Sequence, residues 1–248
     1  MTTVKSAFAS STKMHIKEQL DTVRARIAAA AARSGREPSS VTLLAVSKTF
    51  PAADVAEAYE AGQRLFGENR LQEAMDKMPA LPHDCAWHLI GPLQRNKVRK
   101  ALEQGFTLIE AVDSLRLAQT ISRVAGELGK TARILLEVNI DGEASKHGFS
   151  PDALQQEWDT LVALPHVEIR GLMCIPAPVE TPEGARPAFA ALRRLVETLR
   201  ARGPLPLPEL SMGMSHDYEV AIEEGATLVR VGSAIFGKRT ANFPSAID

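Results

Sequence analysis

The sequence predicts an α/β protein, a single (β/α)8 TIM barrel with an extra helix at its N-terminal end. Three observations carry this reading. Short apolar runs rich in β-branched residues alternate eight times with helical patterns, and no two strand candidates adjoin. Strands separated by helices pair in parallel through crossovers. The chain has 248 residues, the length that eight such units typically need (about 250). The turn after the first strand, Ser47-Lys-Thr-Phe-Pro51, has no glycine, so it lacks the fingerprint of an open dinucleotide-binding sheet. An open, doubly wound sheet of the Rossmann type stands as the alternative, because periodicity by itself does not show that a sheet closes.

Taken in order, residues 14–33 form a helix: Ile16, Leu20, Val23, Ile27 and Ala30 make one apolar stripe at three- and four-residue steps. Ser11 or Thr12 can cap it and Gly35 can end it. The first strand covers 41–47, and Pro51 opens a helix over 52–61. Strand 64–67 leads to helix 69–78, strand 86–90 through Gly91-Pro92 to helix 94–103, and strand 106–111 to helix 114–128. Strand 132–139 precedes a polar loop and helix 151–163. Strand 167–174 precedes helix 186–201, where Phe189, Leu192, Leu195, Val196 and Leu199 keep the helical period. A rigid loop, Pro204-Leu-Pro-Leu-Pro208, enters strand 208–212; helix 215–224 and strand 227–231 complete the series. No boundary or repeat divides the chain, so 14–248 is expected to be one domain behind a disordered tail at 1–13.

Composition narrows the function classes. Hydrophobic residues make up 45% and charged residues 24%, as in an ordinary globular protein. The net charge is -1, from 29 basic and 30 acidic residues, which gives no general affinity for nucleic acid. No apolar run reaches membrane-spanning length, and the first residues lack the apolar core of a secretory signal. A cytoplasmic monomer is expected. Cys85 and Cys174 are isolated and without metal-ligand spacing, so they are expected to be buried free thiols.

In a barrel the active face lies at the C-terminal strand ends. The polar residues there are Lys48, Asn69, His88, Asn139, Ser211, Ser215, Arg230, Gly232 and Ser233. Lys48 ends an apolar strand. If it points as residues 44 and 46 do, its stem lies against the barrel interior and its amine at the rim. Burial lowers a lysine pKa, and a neutral amine attacks an aldehyde to give a Schiff base; a lysine that merely escapes to solvent is the simpler reading. Ser211-Met-Gly-Met-Ser215 and Val229-Arg-Val-Gly-Ser233 look like a phosphate cradle, since the loops after strands seven and eight often bind phosphate in such barrels. Ser215 is read either as an anion contact or as the N-cap of helix 215–224, turned to its own helix. Arg230, buried in an apolar strand, needs an acceptor. The candidates are a carboxylate, Glu137 or Glu168, or the ring nitrogen of pyridoxal phosphate (PLP). His88 either points into the barrel or is a satisfied core histidine. The basic segment 94–100 and Lys146 read as solvated surface. An amine opposite an anion cradle fits an aldehyde phosphate, and the residues alone leave PLP and a sugar phosphate both open.

Several linked motifs decide between them. Ala45-Val-Ser-Lys-Thr49, Phe66-Gly-Glu-Asn-Arg70, Trp87-His-Leu-Ile-Gly-Pro-Leu-Gln-Arg-Asn-Lys97, Gly171-Leu-Met173, Ser211-Met-Gly-Met-Ser-His-Asp217 and Val229-Arg-Val-Gly-Ser-Ala-Ile-Phe-Gly237 resemble the YggS/PROSC family of pyridoxal phosphate homeostasis proteins over residues 14–240. His216 and Tyr218 fall in a variable part of the pattern. The resemblance implies a barrel like the N-terminal domain of alanine racemase, with PLP as a Schiff base on Lys48. It implies phosphate contacts from Ser215, Gly232 and Ser233, Arg230 at the pyridine nitrogen, and Asn69 and Met173 along the ring. The implied role is to buffer PLP and deliver it to apo-enzymes, in support of vitamin B6 and amino-acid balance, without catalysis. A PLP racemase or decarboxylase using His88 or Tyr218 as base is the alternative; a racemase of this barrel type takes its second base from an additional β domain. A Schiff-base aldolase with no cofactor would use the same lysine and cradle.

Overall fold

The computed structural model describes residues 15–143 and 146–237; the expected tail at 1–13 and the caps Ser11 and Thr12 lie outside them. The elements run α1 (Ile16–Arg33), β1 (Thr42–Val46), α2 (Ala52–Glu60), β2 (Leu65–Glu68), α3 (Leu71–Lys77), β3 (Ala86–Leu89), α4 (Val98–Gln104), β4 (Leu108–Val112), α5 (Leu115–Glu127), β5 (Ala132–Glu137), α6 (Pro151–Val162), β6 (Val167–Met173), α7 (Arg186–Arg202), β7 (Glu209–Ser211), α8 (Tyr218–Glu223), β8 (Leu228–Val231) and α9 (Ser233–Phe236). The eight strands pair in sequence order and close, β1 pairing in parallel with both β2 and β8. The open-sheet alternative is thereby excluded.

The strands alternate between two cores, as the period of two requires. Ala45, Phe66, Trp87, Leu89, Ile109, Ile134, Leu136, Leu172, Leu210 and Val229 face outward into the layer shared with the helices. Leu44, Val46, Ile90 and Leu228 fill one side of the barrel interior, and Leu108, Ala111, Leu135 and Met173 the other. A register shift in β4 between Ile109 and Val112 breaks the alternation, so Glu110 and Ala111 both face inward.

Helix α1 lies outside the barrel, across the seam where β8 meets β1. It buries Ile16, Leu20, Val23, Ile27, Ala30 and Ala31 and packs on α2, α8 and α9. Its first turn is capped from α2: the Ile16 N–H donates to Glu57 Oε1 at 3.1 Å. Arg26 and Arg33 pair with Glu219, and Arg33 also with Glu223, on α8.

Two helices begin later than the sequence suggests. Arg95–Lys97 forms a 3-10 turn, so α4 starts at Val98. Residues 214–217 form a turn closed by Asp217, whose Oδ1 accepts the Met214 N–H at 2.7 Å, so α8 starts at Tyr218. Gly213 enters that turn at φ 92°, and a Cβ there would stand 2.6 Å from the Ala221 side chain, leaving room only for glycine.

Candidate active site at the barrel mouth

The strand that carries Lys48 ends at Val46. Leu44 and Val46 point into the barrel, and Lys48 follows two residues on, in the turn 47–50, half-buried. Leu44 is in register with Arg230 on β8. Lys48 thus follows four residues beyond the position that pairs with Arg230, at the C-terminal end of the barrel.

Arg230 is buried in the barrel interior, 4% exposed. Its Nη1 donates to Ser211 Oγ at 2.6 Å and its Nη2 to the Cys174 carbonyl at 2.8 Å. Ser211 Oγ in turn donates to Glu110 Oε2 at 2.6 Å, and His88 Nδ1 lies 2.6 Å from Glu110 Oε1. A chain of buried polar groups thus crosses the barrel from β3 to β4 to β7 to β8. Burial pushes the Glu110 carboxyl up, but the His88 hydrogen bond, attraction to His88 and Arg230, and the Ser211 hydroxyl outweigh it. Glu110 is left below the ordinary carboxylate range.

Glu110 was not among the strand-end candidates, although an acid inside Leu108-Ile-Glu-Ala-Val112 is an interpretable signal. Of the acceptors weighed for Arg230, Glu168 is ruled out: it pairs with Arg133 and Arg170, at the opposite end of the barrel. Glu137, at the mouth, feels Arg230 electrostatically, yet burial first and Asp113 second raise its carboxyl. Ser211 is drawn out of the cradle into this interior chain. His88 is both inward-facing and satisfied, so its two readings merge. Met173 is fully buried among Leu108, Ala111 and Leu135, in the interior layer on the β4–β6 side.

The cradle itself forms between β7 and β8. Ser215 Oγ accepts from the Gly232 N–H at 3.1 Å and the Ala234 N–H at 3.3 Å. The N-cap reading of Ser215 fails, because α8 begins three residues later and the hydroxyl turns to the β8 loop. The Ser215 hydroxyl thus ties the β7 loop to the main chain of the β8 loop. Ser233 is exposed beside them.

Asn69, just past β2, is held against Gly91. A Cβ on Gly91 would stand 2.1 Å from the Asn69 carbonyl and 2.8 Å from its Oδ1. Gly91→Ala is therefore expected to displace the Asn69 segment and cost about 1–3 kcal/mol, a fall in Tm of roughly 3–10 °C, readable by thermal unfolding. An unchanged Tm would show that Asn69 moves freely.

Other candidates sit elsewhere. Asn139 Nδ2 donates to the Glu143 carbonyl and so ties its own loop. Lys146 is not simply solvated: its Nζ lies 3.3 Å from Glu143 Oε1 and 3.4 Å from the Ile175 carbonyl. Arg95, Lys97, Arg99 and Lys100 are exposed. Tyr218 is buried beneath Arg26 of α1, and Tyr59 on α2 donates to Asp84; neither lies at the mouth. Cys174 is fully buried, its thiol pushed up to about 12 by burial, whereas Cys85 is only half-buried. Among the described residues no cluster of three or more metal-ligating side chains occurs, and no helix is long and apolar enough to cross a membrane.

The closed barrel of eight parallel strands carries a half-buried lysine at its rim, and residues 19–240 match the family model of the alanine racemase N-terminal domain. The chain belongs to this family and, within it, groups with the pyridoxal phosphate homeostasis proteins. It is 46% identical to the Pseudomonas aeruginosa pyridoxal phosphate homeostasis protein over 93% of this chain and 99% of that one. To the Aquifex aeolicus protein of the same description it is 44% identical, over 91% and 99%. Among solved structures, PipY of Synechococcus elongatus without PLP superposes with a TM-score of 0.82 at 44% identity, covering 90% of this chain and all of that one. PipY with PLP bound gives 0.78. An alanine racemase from Clostridium difficile shares the fold alone: TM-score 0.71 at 15% identity, over 94% of this chain and 58% of that one.

Proposed function

We propose that this chain binds pyridoxal 5′-phosphate at the barrel mouth, holds it covalently through Lys48, and buffers and delivers it rather than using it in catalysis. The observation that carries the reading is the juxtaposition on β7, β8 and β1 of converging N–H groups, an anchored guanidinium and an amine. The residues fit the cofactor group by group. The Lys48 amine suits the aldehyde, with loss of one water on condensation. Ser215, Gly232 and Ser233 suit the phosphate and Asn69 the ring, whereas Met173 has no exposed surface to offer it. Bound PLP supplies an electron sink whose strength depends on the charge of its ring nitrogen. A guanidinium has donors and no acceptor, so Arg230 would meet that nitrogen as a donor and leave it unprotonated. Ser211 acts through Arg230, as the link that fixes the guanidinium to Glu110. Relatives described as pyridoxal phosphate homeostasis proteins, and PipY with PLP bound, support the assignment.

The non-catalytic role rests on the candidate bases. His88 is committed to Glu110, and Tyr218 is enclosed between α1 and α8. An amino-acid α-carbon at the mouth would find neither poised beside it. The recipients in this reading are apo PLP-dependent enzymes, and the protein acts as a monomer in the cytoplasm. The test is transfer of PLP from the loaded protein to an apo-enzyme in the presence of a trap for free PLP. Activation that outpaces the trap supports delivery. Activation abolished by the trap limits the role to buffering. Proton exchange at the α-carbon of amino acids in deuterated water would instead support the racemase or decarboxylase reading.

A further inference from the structure

Both chain neighbours of Lys48 are gripped by a polar cluster on the outer side of the sheet. Ser47 is fully buried; its hydroxyl donates to Glu68 Oε1 at 2.6 Å. The Lys77 ammonium, at the end of α3, donates to that same oxygen and to the Ser47 carbonyl, each at 2.9 Å. Glu73, one turn earlier on α3, lies 3.6 Å from the Lys77 ammonium and accepts the Thr49 N–H at 2.9 Å. Thr49 itself is at φ 70°, a left-handed conformation unfavourable for a β-branched residue. Glu68 Oε2 and Thr49 Oγ1 are buried without a hydrogen-bond partner among the described residues.

A cluster built for stability alone would use glycine at position 49 and an apolar pair in place of Glu68 and Lys77. Backbone strain of this kind persists only where the surroundings over-determine it, and it gathers at functional sites. We propose that Glu73, with Lys77 and Glu68 behind it, is a positioning group for Lys48. It fixes the main chain on both sides of the lysine and thereby the direction in which the side chain leaves the turn. The inference rests on the reading of Lys48 as the cofactor lysine and extends it to α3, which contributes nothing else to the site.

The test compares Glu73→Ala with Glu73→Gln in the full chain, by PLP titration and borohydride labelling. Glutamine keeps a carbonyl oxygen for the Thr49 N–H, and alanine does not. The Glu73 side chain is 23% exposed, so the apo forms are expected to melt within a few degrees of each other. Glu73→Ala should weaken PLP binding tenfold or more, the scale of one hydrogen bond to a charged acceptor, and Glu73→Gln by less than threefold. Equal affinities in Glu73→Ala and the unmodified protein would overturn the proposal. So would equal losses in the two variants, or a loss matched by collapse of the apo Tm. An unmodified protein that takes no label on Lys48 would instead overturn the underlying assignment of the lysine.

Discussion

Lys48→Ala is expected to abolish the yellow adduct completely while leaving the barrel folded. The lysine lies past the end of β1, in a turn at the rim, so its truncation opens no cavity in either core. The variant forfeits the ligand's contribution to stability. At PLP concentrations a hundredfold above Kd that contribution is about 2.7 kcal/mol, several degrees in Tm for a barrel of this size. The unmodified protein should melt higher with PLP than without. In the variant the gap should shrink to what the cradle alone retains. A large fall in the apo Tm of Lys48→Ala would contradict the placement of this side chain. Retention of the yellow colour would move the covalent link to another lysine.

Glu110→Gln should be the most destabilising of the site substitutions. The carboxylate is fully buried and shared by His88 and Ser211, with Arg230 one bond further on. Removing one partner from such a network leaves buried charge uncompensated, at a cost on the order of 3 kcal/mol, or roughly 6–12 °C. The effect has a definite pH dependence. The folded-state pKa of Glu110 lies below its ordinary value of 4.5. Its charge therefore contributes stability that is fully present above about pH 5. That contribution is lost as the pH falls below 4.5 through the folded value. The gap in Tm between the unmodified protein and Glu110→Gln should be widest near neutrality and close in acid. A gap that stays constant from pH 7 to pH 3 would mean that shape, not charge, makes Glu110 necessary. The same variant should weaken PLP binding, because only one acceptor oxygen would remain for His88 and Ser211 to share, and Ser211 is the hydroxyl that fixes Arg230.

The fold was legible because each strand reads as a short, mostly apolar run, a consequence of burial on both faces; all eight fall within two residues of their expected bounds. Closure was not legible, since the pairing of β1 with β8 joins residues almost two hundred positions apart in sequence, and no local pattern encodes it. At the site, Lys48, Arg230 and the Gly232-Ser233 pair stood out because charge or glycine at a strand end needs a reason. Glu110 stayed hidden because the β4 register shift that turns it inward is a property of two paired strands. Lys77 and Glu73 stayed hidden for another cause: on a helix surface pattern they are ordinary charged residues, and only the docking of α3 against the 47–50 turn buries Lys77 and brings Glu73 to the Thr49 N–H. For Ser215 only the N-cap alternative fails, because Met214 to Asp217 forms a turn of its own before α8.

The central claim is that one lysine, chosen by its place at the barrel mouth, holds the cofactor. The most direct measurement is borohydride reduction of the PLP-loaded full chain, followed by peptide mapping of the label. The account predicts one equivalent of label on the peptide that contains Lys48, and none on that peptide in Lys48→Ala. Label spread over surface lysines such as Lys97, Lys100 and Lys146, with Lys48 unmodified, would contradict it.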